Sequence, residues 1–364
     1  MNKPFTTFGR TAAIFLAVSI VPILYAIWLH TNPALVHNLW QTDNTRSMQE
    51  PTQGELTPLG DSVLVMSLFE QISAVIGGFV IKPVHMVLCL VVIWGLRREK
   101  QKDMVALRWG LFFFWLGEAF CAVNYLVFNH KSYFSEFLHG YGMVVGFAFT
   151  FYAVFEGLDK RLIQFTAKSK KCAAIELCGK CIKAQPVPCG IRRIIFLILP
   201  VMMMISMLPM AARLQAIHYQ TEIIGAVYTY EWPLLYQLTE ARLAPMLALL
   251  LFAGAWVAMF LDRRLPVPDS ARILASAGFG ALSFGTLRFT LKTMFFENLI
   301  WADFWEELTE LLFVMVVTAV LILFLQRLFQ DAFPDDNEIR CWKILKPHTQ
   351  RVPESNLLIP PSHK

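Results

Sequence analysis

Residues 118–142 read EAFCAVNYLVFNHKSYFSEFLHGYG. This stretch decides the fold because it sets ionisable groups where the flanking sequence dictates hydrocarbon. Glu118 falls in the middle of an apolar run from about 106 to 128, and Glu136 and His139 open the next run, from about 136 to 158. A helix rising about 1.5 Å per residue needs roughly 20 apolar residues to cross a bilayer, and each run supplies that.

The same pattern recurs on both sides. Apolar runs of spanning length lie at about 11–29, 75–96, 106–128, 136–158, 194–212, 243–261, 271–295 and 304–326. A chain of 364 residues that is 56% hydrophobic and 16% charged is too apolar for a soluble domain. Backbone groups exposed to lipid must satisfy one another, and no alternating barrel pattern is present. The expected fold is therefore all-α: a polytopic transmembrane helical bundle of about eight spans. The first run has no clean small-residue cleavage site, so it reads as a retained span and not as a signal peptide. The expected partner is the lipid bilayer. No basic groove or nucleic-acid module is present, which excludes nucleic acid. Partner subunits and a homo-oligomer both remain open at this level.

Orientation follows from the 32 Lys and Arg residues. Most fall in the N-terminus, in the loops after the second, fourth and sixth spans, and in the C-terminal tail. The opposite side holds only Arg46, Lys131, Arg213 and Arg242. The positive-inside rule places both termini in the cytoplasm of a bacterial-type inner (plasma) membrane, with loops 30–74 and 213–242 outside. These outer loops are acidic and aromatic, with Trp40, Tyr219, Tyr228, Tyr230, Trp232 and Tyr236, and short interfacial helices are expected in them.

The order of spans and loops repeats, which divides the chain into a first four-helix repeat (1–165), a basic Cys-containing cytoplasmic loop (166–190), a second four-helix repeat (191–330) and a polar tail expected to be disordered (331–364). Laying one half on the other sets Glu118 against Arg288 and Glu136 against Glu306.

The candidate site follows from the polar residues inside the spans. Lys82, His85, Glu118, Asn124, Glu136, His139, Arg288 and Lys292 fall between mid-membrane and the outer edge, while the inner half has almost none. Each buried charge costs about 2.5 to 3.5 kcal/mol on insertion scales, so such groups face a bundle interior or a wet cavity. The expectation is an outward-opening polar pocket, with Glu118 and Arg288 as a coupling pair and Glu136, His139, Lys292, His85 and Asn124 along the pathway. A structural ion pair between the halves is the competing reading. Glu306, Glu307 and Glu310 read as caps on the outer end of the last helix.

Two patterns suggest metal. Glu136-x-x-His139 puts a carboxylate and an imidazole on one helical face, as in di-metal bundles. On the same spacing His85 sits deeper than His139 by about 9 Å, against a shared site. Cys172, Cys178, Cys181 and Cys189 lie close together among lysines. They fit either a Zn or iron–sulfur site or free, redox-sensitive thiols. Cys89 and Cys121 read as packing residues, and Gly142-x-x-x-Gly146 as a close-contact helix face. The residue types at Cys121, Asn124-Tyr125 and Glu136-Phe137 resemble the motif near the start of alkaline ceramidases. The Asn-to-Glu spacing is longer here and no matching set of later histidines follows, so a zinc hydrolase of that kind is not implied.

The functional expectation is movement of a proton, ion or small solute through the polar site. The rival is a membrane metalloenzyme or redox subunit with its metal near the outer surface. An assembly or scaffold subunit is the third reading.

Overall fold

The computed structural model describes residues 63–128, 132–163, 190–262 and 265–324. Among these residues the chain is mostly helical, with one small sheet. Strand β1 (Val63–Leu64) leads into helix α1 (Leu68–Arg98), followed by α2 (Lys102–Phe128), α3 (Tyr133–Gly157) and α4 (Gly190–Met207). Strands β2 (Ile217–Ile223) and β3 (Ala226–Trp232) precede α5 (Leu234–Leu261), α6 (Asp269–Met294) and α7 (Leu299–Phe324). Helices α1 to α5 are long and apolar enough to cross a membrane. Helices α6 and α7, at 26 residues each, match them in length but carry charges in mid-helix. The expected first span (11–29), the four loop cysteines and the tail (331–364) lie outside the described residues.

Local chemistry sets the helix starts. Ser67 caps α1 in a reciprocal capping box: its hydroxyl accepts from the Glu70 N–H at 3.3 Å, and the Glu70 carboxylate accepts from the Ser67 N–H at 2.8 Å. Glu70 also accepts from the Asn298 side chain at 2.7 Å, tying the start of α1 to the turn between α6 and α7. Ser132 caps α3 by accepting from the Ser135 N–H at 3.2 Å.

The tightest packing is between α2 and α3, and glycine is the reason. A Cβ on Gly142 would lie 2.7 Å from the Gly117 Cα, and one on Gly146 would lie 2.8 Å from the Phe114 nitrogen. Backbones that meet this closely leave no room for side chains, and dispersion replaces the hydrophobic drive that lipid cannot supply. On α6, Gly280 meets Ala148 and the Val144 carbonyl of α3 in the same way. The resulting α2–α3–α6 core is dry and apolar, filled by Phe114, Met143, Leu111 and Ala281.

Residues 213–242 correct the expectation of interfacial helices. β2 and β3 form an antiparallel hairpin, Ile217 opposite Trp232 and Ile223 opposite Ala226, and β1 adds in parallel through Val63 and Leu64. The reason is visible in hindsight. Tyr219 and Thr221 on β2 and Tyr230 and Trp232 on β3 alternate at period two and are buried, and Ile224-Gly225 makes a turn with φ of 49° and 79°. Tyr219 accepts from the Leu299 N–H at 2.7 Å, and the Ile224 N–H donates to Gln71 at 2.9 Å, so the sheet is clamped across one end of the bundle.

The glycine seam generates a contrast within one helix. Gly142→Ala is expected to lower stability by about 1 to 3 kcal/mol because α2 and α3 must separate. Gly140→Ala, where an added Cβ meets nothing within 4 Å, is expected to be neutral or slightly stabilising. Thermal unfolding of the two variants in one detergent checks the difference.

Candidate functional site

Seven elements converge below the sheet. Lys82 and His85 come from α1, Glu118 and Cys121 from α2, Glu136 and His139 from α3, Arg288 and Lys292 from α6, and Glu306, Glu307 and Glu310 from α7. Glu240 from α5 and the tyrosines of the hairpin complete the group. A cavity of about 470 Å³ runs between these elements, with Lys82, Glu136, His139, Arg288 and Glu307 on its charged side and Tyr125, Tyr228, Tyr230 and Tyr236 on its aromatic side.

Behind the cavity wall, Lys82, His85, Glu307 and Glu310 gather around Glu118, which is completely buried. Lys82 donates to it at 2.5 Å and to Glu307 at 2.6 Å. His85, also without exposed surface, lies 3.7 Å through Nε2 from both Glu118 and Glu310, and 4.0 Å through Nδ1 from Glu307. Neither ring nitrogen of His85 has a hydrogen-bond partner, and Glu118 Oε1, Glu307 Oε2 and Glu310 Oε2 are also unpartnered. Native interiors rarely leave so many buried polar atoms unpaired in one place. One atom from each of His85, Glu118, Glu307 and Glu310 falls within a 4.8 Å sphere of mutual distance, and Glu118, Cys121 and His139 form a second such group. Two ligands each about 2.1 Å from an ion sit roughly 3 to 4 Å apart, which matches these separations.

His139 approaches Glu118 from α3. Its Nδ1 lies 3.0 Å from the Gly117 carbonyl, which can only accept, so Nδ1 carries a proton. Nδ1 is also 3.5 Å from Glu118. The backbone approach that exposes the Gly117 carbonyl to His139 is the same glycine contact that joins α2 to α3.

A second group lies nearer the sheet. Arg288 donates to Glu136 at 2.5 Å and faces Glu240 at 3.2 Å and Glu306 at 3.9 Å. Glu136 also accepts from Asn124 at 3.3 Å, and Asn124 in turn accepts from the Ser132 N–H that begins α3. Lys292 is buried 3.6 Å from the half-exposed Asp303. Burial among aromatic rings pushes the Tyr228 and Tyr230 hydroxyls well above the usual phenol range, so the roof of the cavity stays neutral.

Four expectations change here. Glu118 and Arg288 do not pair: Glu118 takes Lys82 and Arg288 takes Glu136, because α1 inserts Lys82 between α2 and α7. Glu136 and His139 do not turn to one ion, since Arg288 draws the carboxylate away while Gly117 and Glu118 hold the imidazole. His85 and His139 both reach Glu118, despite the depth difference expected from counting residues. Glu307 and Glu310 are not caps, since α7 begins at Leu299 and buries them two to three turns later.

The far end of the bundle holds a second buried network at the helix ends, in the half expected from the sequence to be almost without polar residues. Arg272 on α6 pairs with Glu156 at 2.7 Å, with Asp159 at 3.4 Å and with Asp269, while Asp103 on α2 pairs with Arg161 at 2.5 Å. Arg272 and Arg288 are separated by 16 residues of one helix, roughly 24 Å at 1.5 Å per residue. The glycine-packed apolar core lies between the two networks.

These features define a helical bundle with a charged site buried under one end. No protein-family model, curated protein or solved structure matches the chain.

Arg288→Met strands Glu136 and Glu240 as buried anions and is expected to cost about 3 to 5 kcal/mol. Asp269→Asn, at a half-exposed position whose partner Arg272 keeps Glu156 and Asp159, is expected to change stability by less than about 1 kcal/mol. Chemical or thermal unfolding in detergent compares the two.

Proposed function

We propose that this chain is a metal-dependent membrane enzyme whose divalent cation is held by His85, Glu118, Glu307 and Glu310. The observation that carries the reading is His85: a completely buried imidazole, both nitrogens unpartnered, among three carboxylates that each keep an unpartnered oxygen. Charge balance supports it. Three carboxylates meet one lysine, and one divalent ion closes the remaining deficit. Mixed imidazole and carboxylate donors suit Zn, Mn or Fe(II). Bound there, such an ion would supply Lewis-acid chemistry of the kind used in metal-assisted hydrolysis. The residues around it would supply the rest: His139 would take or give a proton, and Arg288 and Lys292 would stabilise negative charge that develops in the cavity.

The topology that goes with this reading has eight spans, namely α1 to α7 and the run at 11–29, arranged as two tandem four-helix repeats. The lengths of α6 and α7 support the count, with their charges turned into the bundle. The repeat rests on element order; the closest pairs, α2 with α3 and α5 with α6, hold different places in the two halves. The Lys and Arg bias puts the termini in the cytoplasm and the site toward the outer face of the membrane.

Movement of a proton, ion or small solute is the second reading, favoured by one observation: the Arg272 network offers a second polar station at the opposite end. The apolar core between the stations weighs against it.

Elemental analysis of detergent-purified protein tests the first reading. About one divalent ion per chain is expected, falling roughly tenfold or more in His85→Ala and Glu310→Gln and retained in Glu136→Gln. No metal in folded wild-type protein, or equal metal in all variants, defeats it. A proton flux in vesicles that Glu118→Gln abolishes without unfolding the protein would establish the second reading instead.

A further inference from the structure

The cavity changes character across its width. One side is charged, and the other is formed by Phe79, Pro83 and Met86 of α1 with Ala122, Tyr125 and Leu126 of α2. Above, the hairpin covers it with Tyr228 and Tyr230. Sideways it is thinly closed. Phe79 and Tyr125 meet edge to face across the gap between α1 and α2, with ring centroids 6.2 Å apart, and both remain exposed on their outer surfaces. Beside them, a Cβ placed on Gly78 would meet nothing within 4 Å, and Leu126 opposite is 71% exposed. Gly78 lies inside the π-turn Gly77–Ile81, a local widening of the kind helices keep at working sites.

Among the described residues, a site roofed by the hairpin, closed sideways only by the Phe79–Tyr125 contact and graded from charged to apolar fits a ligand with the same gradient. We propose that the substrate is a membrane amphiphile that enters sideways, its polar head at the His139 and Arg288 end and its hydrocarbon chain in the slot between α1 and α2. This rests on the reading of the cavity as the substrate site of a metal-dependent enzyme. Lys82, Arg288 and Lys292 line the charged end together with Glu136, Asp303, Glu306 and Glu307, and an anionic head would meet Lys292, whose carboxylate partner Asp303 is half-exposed.

The experiment places full-length protein in phosphatidylcholine vesicles with a fatty acid that carries a photoactivatable diazirine midway along its hydrocarbon chain. After irradiation, adducts are mapped by mass spectrometry. Adducts concentrated in residues 79–86 and 121–126, and reduced about tenfold by Gly78→Leu, are the expected result. Gly78→Leu has room for its side chain, so an unchanged melting temperature is expected; Leu126→Trp, at an exposed position on the opposite wall, blocks the same slot and is expected to give the same loss. Adducts spread over all lipid-facing helices, or a pocket signal that neither variant alters, overturn the proposal. Metal content is measured on the same samples. Metal present with scattered adducts defeats the amphiphile proposal alone, whereas pocket adducts without metal defeat the metal reading alone.

Discussion

Glu118 is a carboxylate with no exposed surface, set in the middle of an apolar helix, and the arrangement around it follows from the need to neutralise it. An isolated ion in such a place is untenable, so the bundle brings Lys82 and His85 from α1 and His139 from α3 to within 4 Å. Lys82 is itself buried and takes Glu307 as a second partner, which draws α7 against α1. Glu310 follows Glu307 by one residue triplet on α7 and joins the same group through His85. The packing of α1, α2, α3 and α7 is thus coupled to one buried charge.

The glycine seam is the partner of that constraint. Gly117 precedes Glu118, and the same contact that lets α3 lie against α2 brings the Gly117 carbonyl to His139. A larger residue at 117 would move the imidazole away from the carboxylate. Structural packing and site geometry are here one feature of the backbone.

Much of the helical layer was legible in the sequence, because apolar run length is a direct consequence of bilayer thickness and helix rise. Lys82, His85, Glu118, Glu136, His139, Arg288 and Lys292 stood out for the same reason, a charge or polar group in a hydrocarbon run, whereas Glu306, Glu307 and Glu310 read as caps. Their partners were not legible. Pairing Glu118 with Arg288 assumed equal depth in related helices, whereas depth in the folded bundle depends on tilt and on where each helix begins, and α1 begins about seven residues earlier than its apolar run. Glu240 escaped notice because it sits just ahead of an apolar run and reads as a loop residue; only the fold turns it toward Arg288. The hairpin did carry a sequence signal, the alternation in residues 217–232, which aromatic content disguised as an interfacial helix. Asp103, Glu156, Asp159 and Arg272 were hidden by their position at helix ends, where charges are ordinary and burial is not.

Among the described residues, π-turns occur within α1 at Gly77–Ile81, within α5 at Thr239–Leu243 and directly after α3 at Leu158–Ile163, and each lies beside or includes a buried charge: Lys82, Glu240 and Asp159. A π-turn accommodates one residue more than an α-turn, and one residue corresponds to about 100° of rotation around the axis. The two halves of α1 are therefore out of phase, one presenting Ser73 inward and the other Lys82 and His85. Removing a single residue from Gly77–Ile81 would restore the phase and swing Lys82 and His85 toward lipid, leaving Glu118 without its cation. Such turns are how an apolar bundle acquires inward-facing charges by single-residue insertion, with the rest of each helix left in register.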